Sequence, residues 1–426
     1  MAKAGKQAWW WIPTLYFGQG IPYVVVMMLA VVLYKNLGVS NTEIALYTSW
    51  LYLPWVIKPL WSPLVEMYRT KREWIWGLQL VIGVSLALVA LTIPTSHFLQ
   101  MTLAVFWLMA FSSATHDIAA DGFYLLALPE QQQAAFVGVR STFYRIAMIA
   151  GQGGLVFLAG QLIEVTGDAA FAWSVVFAVL AGLFFVLFAY HRWVLPYPVQ
   201  DVAVRNSGNP LRDFAETFRI FFRRKDIVVV LAFLLTFRLG EAQALKLVTP
   251  FLLDPLAEGG LGLSTKDVGV VYGTVGVLAL TVGGLLGGYM VSRSSLQRWL
   301  WPMLLAVHVP NIVFVYLAVM QSAAHSIITA AIALEQFGYG FGFTAYMLFM
   351  MQVAKASGAH QTAHYAICTG FMALGMMLPG MVSGWIQSQL GYPQFFLWVL
   401  LCCVPSLVVA AFLRFETEQE PQVVNA

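Results

Sequence analysis

The sequence predicts an all-α membrane protein of twelve transmembrane helices in two six-helix halves, with both termini cytoplasmic. Three observations predict it. Hydrophobic residues make up 60% of the 426 and charged residues 10%, whereas a soluble domain runs about 45–50% apolar and about 25% charged. The apolar residues fall into twelve stretches of the length that an apolar core of about 30 Å requires, about 20 residues of helix. One long polar segment, Arg192 to Asp226, divides those stretches six and six. The same composition excludes disordered, collagenous and disulfide-stapled classes. A charge of +3, from 23 basic against 20 acidic residues, is too even for a protein that binds by neutralising phosphates, so nucleic acid is not an expected partner.

Taken in order, the first stretch runs from Trp9 to Tyr34 behind Lys3 and Lys6. It resembles a secretion signal only at its start, because no small-residue cleavage site follows at the expected place. The next five run from Glu43 to Leu64, Trp74 to Pro94, Leu99 to Ala127, Ala134 to Ile163 and Phe171 to Leu195. After the polar segment, with its seven basic and four acidic residues and Pro196, Pro198 and Pro210, the second six follow. They run from Ile227 to Leu253, Asp267 to Val291, Trp299 to Met320, Ser326 to Val353, Thr362 to Ile386 and Pro393 to Leu413. The expected organisation is a first half at 1–195, a cytoplasmic linker at 196–226, a second half at 227–413 and a tail at 414–426. Basic residues set the orientation. Sixteen lie on the N-terminal side, and Lys35 with Lys266 make up the other. Cys368, Cys402 and Cys403 sit in apolar runs with no ligand partner in range, so they read as small hydrophobes, and neither metal nor cofactor is expected.

Nine charged residues lie inside or at the edge of these stretches: Lys58, Asp117, Asp121, Arg140, Arg145, Arg238, Glu241, Lys246 and Glu335. Unpaired, at about 2.5–3.5 kcal/mol each, they would cost roughly 20–30 kcal/mol. They must pair or face water, although Lys58 and Lys246 are placed to reach the interface with their long stems. Asp117 and Asp121 are one turn apart on one face. Two carboxylates there repel each other and a guanidinium relieves them, which suits the pair to accepting a proton under an arginine's control. Arg140 and Arg145 diverge by about 140°, so one is expected on the aspartate face, with Arg145 chosen as the countercharge. His116 reads as structural. Arg238 and Glu241 can pair along their helix. Glu335 stands where the aspartates stand in the first half, one turn before Tyr339, within Phe337-Gly-Tyr-Gly-Phe-Gly-Phe343. Those glycines permit close packing. Glu66, with Arg69 and Arg72, reads as a cytoplasmic gate. A basic turn at the same position in each half, Arg69 to Arg72 and Arg293 to Arg298, is a weak internal repeat.

Several segments together resemble the muropeptide permease (AmpG-type) branch of the major facilitator superfamily. They are Phe17-Gly-Gln-Gly-Ile-Pro22, Lys58-Pro-Leu-Trp-Ser-Pro-Leu-Val-Glu66, Ser112-Ser-Ala-Thr-His-Asp-Ile-Ala-Ala-Asp121, Ser141-Thr-Phe-Tyr-Arg145 leading to Gly151-Gln-Gly153, and Arg238-Leu-Gly-Glu241. The order is collinear over most of the chain. The resemblance implies a proton-driven importer of anhydro-muropeptides in the bacterial inner membrane, with protons, a small amino-sugar solute and the bilayer as its partners. Glu66 stands where an aspartate is usual and His116 where glutamine is expected, which leaves the sugar open. On this reading Asp117, Asp121 and Arg145 couple the proton, and Arg238, Glu241, Glu335, Tyr339, Tyr16 and Gln19 line the substrate site. The site lies between the halves near the bilayer midplane. An importer of another oligosaccharide, a siderophore or a drug-like solute is the alternative. A membrane enzyme is not expected, because Asp168, Asp254, Glu258 and His325, the polar groups of the short non-cytoplasmic loops, are scattered.

Overall fold

The computed structural model describes residues 2–202, 216, 218–321, 324–355 and 361–413, apart from the side chains of 2–6, 63, 64, 66, 67, 130, 134 and 362. Ten of its helices are long and apolar enough to cross a membrane. They are α1 (Gln7–Asn36), α4 (Lys71–Thr92), α5 (Phe98–Ala127), α6 (Gln131–Thr166), α7 (Ala169–Val194), α8 (Ile227–Leu253), α9 (Thr265–Ser292), α10 (Leu296–Met320), α12 (Ala363–Leu390) and α13 (Tyr392–Ala410). The stretch expected at Glu43 to Leu64 is two helices, α2 (Asn41–Trp50) and α3 (Leu53–Met67). α11 (His325–Lys355) has 31 residues and would measure about 46 Å at 1.5 Å per residue. Its glycines and the Glu335-Gln336 pair dilute its apolar character.

The helices begin where side chains satisfy their first amides. Thr70 with Glu73 and Ser264 with Asp267 form reciprocal capping boxes at α4 and α9. Ser40, Asp168 and Ser295 cap α2, α7 and α10. Three helices carry wide π turns the apolar pattern does not signal, at Val25–Leu29, Ala150–Leu155 and Gly269–Gly276. α8 turns sharply at Phe237 and Arg238, whose φ and ψ are −101° and 8° at the latter. That break aims Arg238 inward as the cap of the helical run that carries Glu241.

Among the helices before residue 195, α4 packs on α5 and α7, and α1 on α6. After residue 227, α9 and α10 both pack on α11, and α12 packs on α8. Lipid does not drive apolar faces together, so close backbone approach carries much of this packing. A side chain at Gly340 would stand 2.0 Å from the Leu280 carbonyl oxygen of α9, and one at Gly338 or Gly342 would stand 2.2 Å from carbonyl oxygens of α10. The alternating glycines of α11 therefore serve two neighbours at once.

The two sets of helices meet along two seams, α2 and α3 against α12, and α6 against α9. Both seams are tightest toward the end of the bundle that bears the 37–40 turn. A side chain at Gly160 would lie 2.2 Å from the Lys266 amide nitrogen, one at Gly273 2.0 Å from the Gln152 oxygen, and one at Gly384 2.2 Å from the Asn41 oxygen. At the other end of the chain's interior loops, Arg224 chelates Asp226 with two bonds of 3.0 Å, which holds that carboxyl below its usual range, and donates to the Val353 carbonyl at the end of α11.

Gly273→Ala should destabilise the purified protein by about 1–3 kcal/mol, because the added methyl meets backbone that cannot yield. Gly154→Ala, where nothing lies within 4 Å, should change it by less than about 0.5 kcal/mol. Thermal unfolding in detergent compares the two.

Candidate functional site

Two charged clusters occupy the middle of the bundle. In the first, Arg140 Nη2 lies 2.8 Å from Asp121 Oδ1, and Lys58 Nζ lies 3.7 Å from Asp117 Oδ2, which also accepts from Trp55 Nε1 at 3.2 Å. The Arg140 guanidinium sits 4.6 Å over the Tyr16 ring and 5.6 Å over that of Tyr124. Gln19 lies against both aspartates. Asp121 and Arg140 retain 42% and 32% side-chain exposure although each lies inside an apolar helix, so accessible space adjoins the pair. The Tyr16 hydroxyl and Gln19 Oε1 are buried without a hydrogen-bond partner among the described residues, the condition of groups that await water or a ligand.

The arrangement departs from the expectation that Arg145 neutralises the aspartates. Arg140 takes Asp121 and Lys58 takes Asp117. The 140° divergence turns Arg145 toward α9, where its Nη1 donates to Thr281 Oγ1 at 3.3 Å and its Nη2 lies beside Gly284. No acid pairs with Arg145 among the described residues.

In the second cluster Arg238 grips Glu241 at 2.7 and 3.2 Å and donates to the Tyr339 hydroxyl at 2.7 Å. Both charged side chains are less than a tenth exposed. The aromatic face of Phe343 lies 5.1 Å from the guanidinium. A file of aromatics joins the clusters: Tyr23 meets Trp55 edge-on at 5.5 Å and lies near Tyr52, and both tyrosines lie near Arg238. Glu335 is buried on α11 and accepts from Gln336 Nε2 at 2.9 Å.

Lys246 does not reach an interface. It is 2% exposed, and its Nζ donates to Thr48 Oγ1 of α2 at 3.0 Å with the Tyr52 ring 5.1 Å away. His116 is buried in a line of polar groups, Thr14, His191, Gln79 and His116, with separations of 3.0, 2.9 and 3.2 Å. That line ties α1, α7, α4 and α5 together. Of the expected gate, the Glu66 side chain lies outside the described residues. Arg69 is exposed at φ 64°. Arg72 is buried within the first set of helices. Its Nε donates to the Leu195 carbonyl at 3.1 Å, its Nη2 to the Arg192 carbonyl, and Tyr197 stacks on it at 3.9 Å. It therefore caps the end of α7 and, among the described residues, makes no bridge between the two sets.

The ion pairs that span them among the described residues lie at the opposite end and were not among the expected site residues. Lys35 pairs with Asp254, which also accepts from Tyr392 at 2.5 Å and Asn41 at 3.1 Å. Lys266 pairs with Glu164 at 2.7 Å, and Asn36 donates to Thr265 at 2.8 Å. Lys35, Asn36, Asn41, Glu164, Asp254 and Thr265 line a cavity of about 730 Å³ at that closed end. A signal was available: Lys35 and Lys266 are the two basic residues on a side whose other charged residues are acids, Asp254 and Glu164 among them.

No group of three or more metal-ligating side chains occurs among the described residues. Residues 14–367 match the family model of the Major Facilitator Superfamily. The chain is 27% identical over 370 residues to the anhydromuropeptide permease of Escherichia coli (strain K12), covering 84% of this chain and 70% of the permease. It is 23% identical over 409 residues to putative transporter AmpG 4 of Rickettsia conorii (strain ATCC VR-613 / Malish 7), covering 93% and 94%. Among solved structures, the nucleoside transporter NupG superposes with a TM-score of 0.66 at 16% identity, covering 97% of this chain and 100% of that one. A POT family transporter in complex with a thioalcohol conjugated peptide gives 0.71 at 11%, covering 94% and 95%.

Removing one member of the buried pair strands the other. Glu241→Gln should destabilise the protein by about 3–5 kcal/mol, and adding Arg238→Gln should restore part of that loss. Denaturation of the two purified variants beside the unmodified protein measures both effects.

Proposed function

The chain belongs to the major facilitator superfamily, and we propose that within it this protein is a proton-coupled importer of an anhydro-muropeptide or related cell-wall amino sugar. Fold likeness alone does not select a solute; the solved structures of this shape include a nucleoside transporter and one that holds a peptide conjugate. The proposal rests on the sequence relatives named as muropeptide permease and AmpG transporters together with the chemistry of the interior.

One observation carries the substrate class. Arg145 is a part-buried cation at the seam between α6 and α9 with no acid beside it among the described residues, while Arg140, Arg238 and Lys58 already hold acids. A guanidinium so placed can grip a carboxylate with two parallel bonds, and the lactyl group of muramic acid carries one. Tyr16, Gln19 and Tyr339 add an aromatic face and polar contacts for sugar hydroxyls. The anionic anchor on this reading is Arg145, and Arg238, among the residues expected to line the substrate site, is already held by Glu241. Protonation of Asp121 would release Arg140, and Asp117 with Lys58 forms the second step of the same relay.

The architecture we propose for this cycle has twelve spans, counting α2 with α3 as one and α11 as another. Its halves are 1–195 and 227–413, joined by a cytoplasmic linker at 196–226. Sixteen basic residues on the side of the N-terminus place that side in the cytoplasm of a bacterial inner membrane. The seam bridged by Lys35 and Asp254 is then the outer gate, shut in this conformation. Alternating access requires those bridges to part as contacts near Arg72 form.

The anhydro-disaccharide N-acetylglucosaminyl-anhydro-N-acetylmuramic acid should compete for uptake better than a neutral disaccharide of equal size. Arg145→Ala should narrow that preference about tenfold or more, as loss of a charged bidentate contact implies. Equal competition in wild-type vesicles would turn the proposal toward a simpler sugar. For orientation, Glu258→Cys should react with an impermeant thiol reagent in intact cells and Ser294→Cys should not. The native cysteines are all buried and give no background. The reverse labelling would invert the topology.

A further inference from the structure

Glu335 differs from the other acids buried among the helices. Asp117, Asp121, Glu241 and Asp254 each face a cation: Lys58, Arg140, Arg238 and Lys35. Glu335 is 7% exposed, and its only hydrogen bond among the described residues comes from the neutral amide of Gln336. The groups that face it from the packed elements are Tyr272, on the π turn of α9, and Glu241, on α8. Neither is a cation, and no Lys, Arg or His lies within ion-pair distance among the described residues. Glu241 is itself held by Arg238, so it supplies no positive charge.

An ionised carboxylate in such a place would be an uncompensated charge in an apolar interior, at a large desolvation cost; the neutral acid carries no such penalty. Burial and surroundings therefore favour the protonated form in this conformation. The alternate form has a partner within the same helix face. Arg238 reaches the hydroxyl of Tyr339, and Tyr339 is one turn along α11 from Glu335 on the same side. A rearrangement of α11 against α8 that brings the guanidinium one turn along would give Glu335 a cation and favour its carboxylate.

We propose that Glu335 is a second proton-carrying group of the cycle, seated in the later set of helices, protonated in the conformation described and ionised when Arg238 swings from Tyr339 toward it. The proton passes from the Glu335 carboxyl to water in the opened interior, and the carboxylate left behind accepts hydrogen bonds from Arg238. This rests on the reading of the chain as a proton-coupled importer, and it moves Glu335 from the substrate contacts to the coupling machinery. A ligand whose binding or release accompanies a change of state is coupled to every other ligand that prefers one state. A proton held by Glu335 is such a ligand.

Two measurements test it, one without any solute. Infrared spectra of the purified protein at neutral pH should contain the carbonyl band of a protonated, buried carboxylic acid. Glu335→Gln should remove that band, Glu335→Asp should shift it, and Asp121→Asn should leave it. In proteoliposomes loaded with the anhydro-disaccharide, Glu335→Gln should retain exchange at equal concentrations while uphill accumulation under an imposed proton gradient falls about tenfold or more. Glu335→Asp should keep both. Absence of the band from the wild-type protein, its survival in Glu335→Gln, or wild-type accumulation by that variant would each overturn the assignment. Failure of wild-type protein to accumulate the anhydro-disaccharide, with the band still lost in Glu335→Gln, would overturn the substrate reading and leave the proton on Glu335.

Discussion

A charge inside an apolar helix bundle must find its countercharge or its water within the bundle, because the hydrocarbon around it supplies neither. That constraint organises the interior of this protein. It pulls Lys58 onto Asp117, Arg140 onto Asp121 and Arg238 onto Glu241, and the first two of these contacts join different helices and so constrain their rotation. The same constraint makes the exceptions informative. Arg145 and Lys246 are cations held by hydroxyls, and Glu335 is an acid held by an amide. All three sit at or near the seams between the two sets of helices, where a solute or a proton can complete what the protein leaves open.

Close neutral packing surrounds these charges. α11 approaches α9 and α10 through glycines on both sides, so its backbone is held within contact distance of two neighbours. The seams at the closed end use the same device, with Gly160, Gly273 and Gly384 against backbone atoms of the opposite set. Close packing between backbones depends strongly on distance and has little lateral compliance. A seam of this kind is therefore suited to two arrangements, closed or parted, and poorly suited to intermediate ones. The polar bridges from Lys35 to Asp254 and from Lys266 to Glu164 lie beside that seam. Both pairs keep some access to water, so breaking them costs less than breaking the buried pair at Arg238.

The position of Arg72 fits the same division of labour. With the closed end sealed, it ties the turn after α3 to the end of α7 inside its own set, and Asp201 accepts from the amides of Lys71 and Arg72 at 2.7 and 3.0 Å. Among the described residues, Arg72 makes no contact with the opposite set. A relay of charges in which one end's bridges are made while the other's are satisfied locally is a direct way to keep a bundle from opening at both ends.

Composition and hydrophobic length were enough to identify a polytopic helical protein and to locate its apolar stretches, because the cost of exposing backbone to lipid leaves no other structure for them. The inward charges were legible for the same reason: each violates the apolar pattern, so Asp117, Asp121, Arg238, Glu241 and Glu335 stand out one by one. The Arg238 and Glu241 pair could be read outright, since three residues of separation on one helix decide it. Partnership across helices could not. Whether Arg140 or Arg145 meets Asp121 depends on the rotation of α6 against α5, and whether Lys246 reaches water or Thr48 depends on how deeply α8 lies behind α2. The break at Arg238 and the three π turns were hidden too, because they arise from packing against neighbours and leave no mark in the periodicity. The sequence by itself determined which residues must be neutralised; only the tertiary structure decided by whom, because contacts between helices are set by axial rotation and depth, and apolar length carries information about neither.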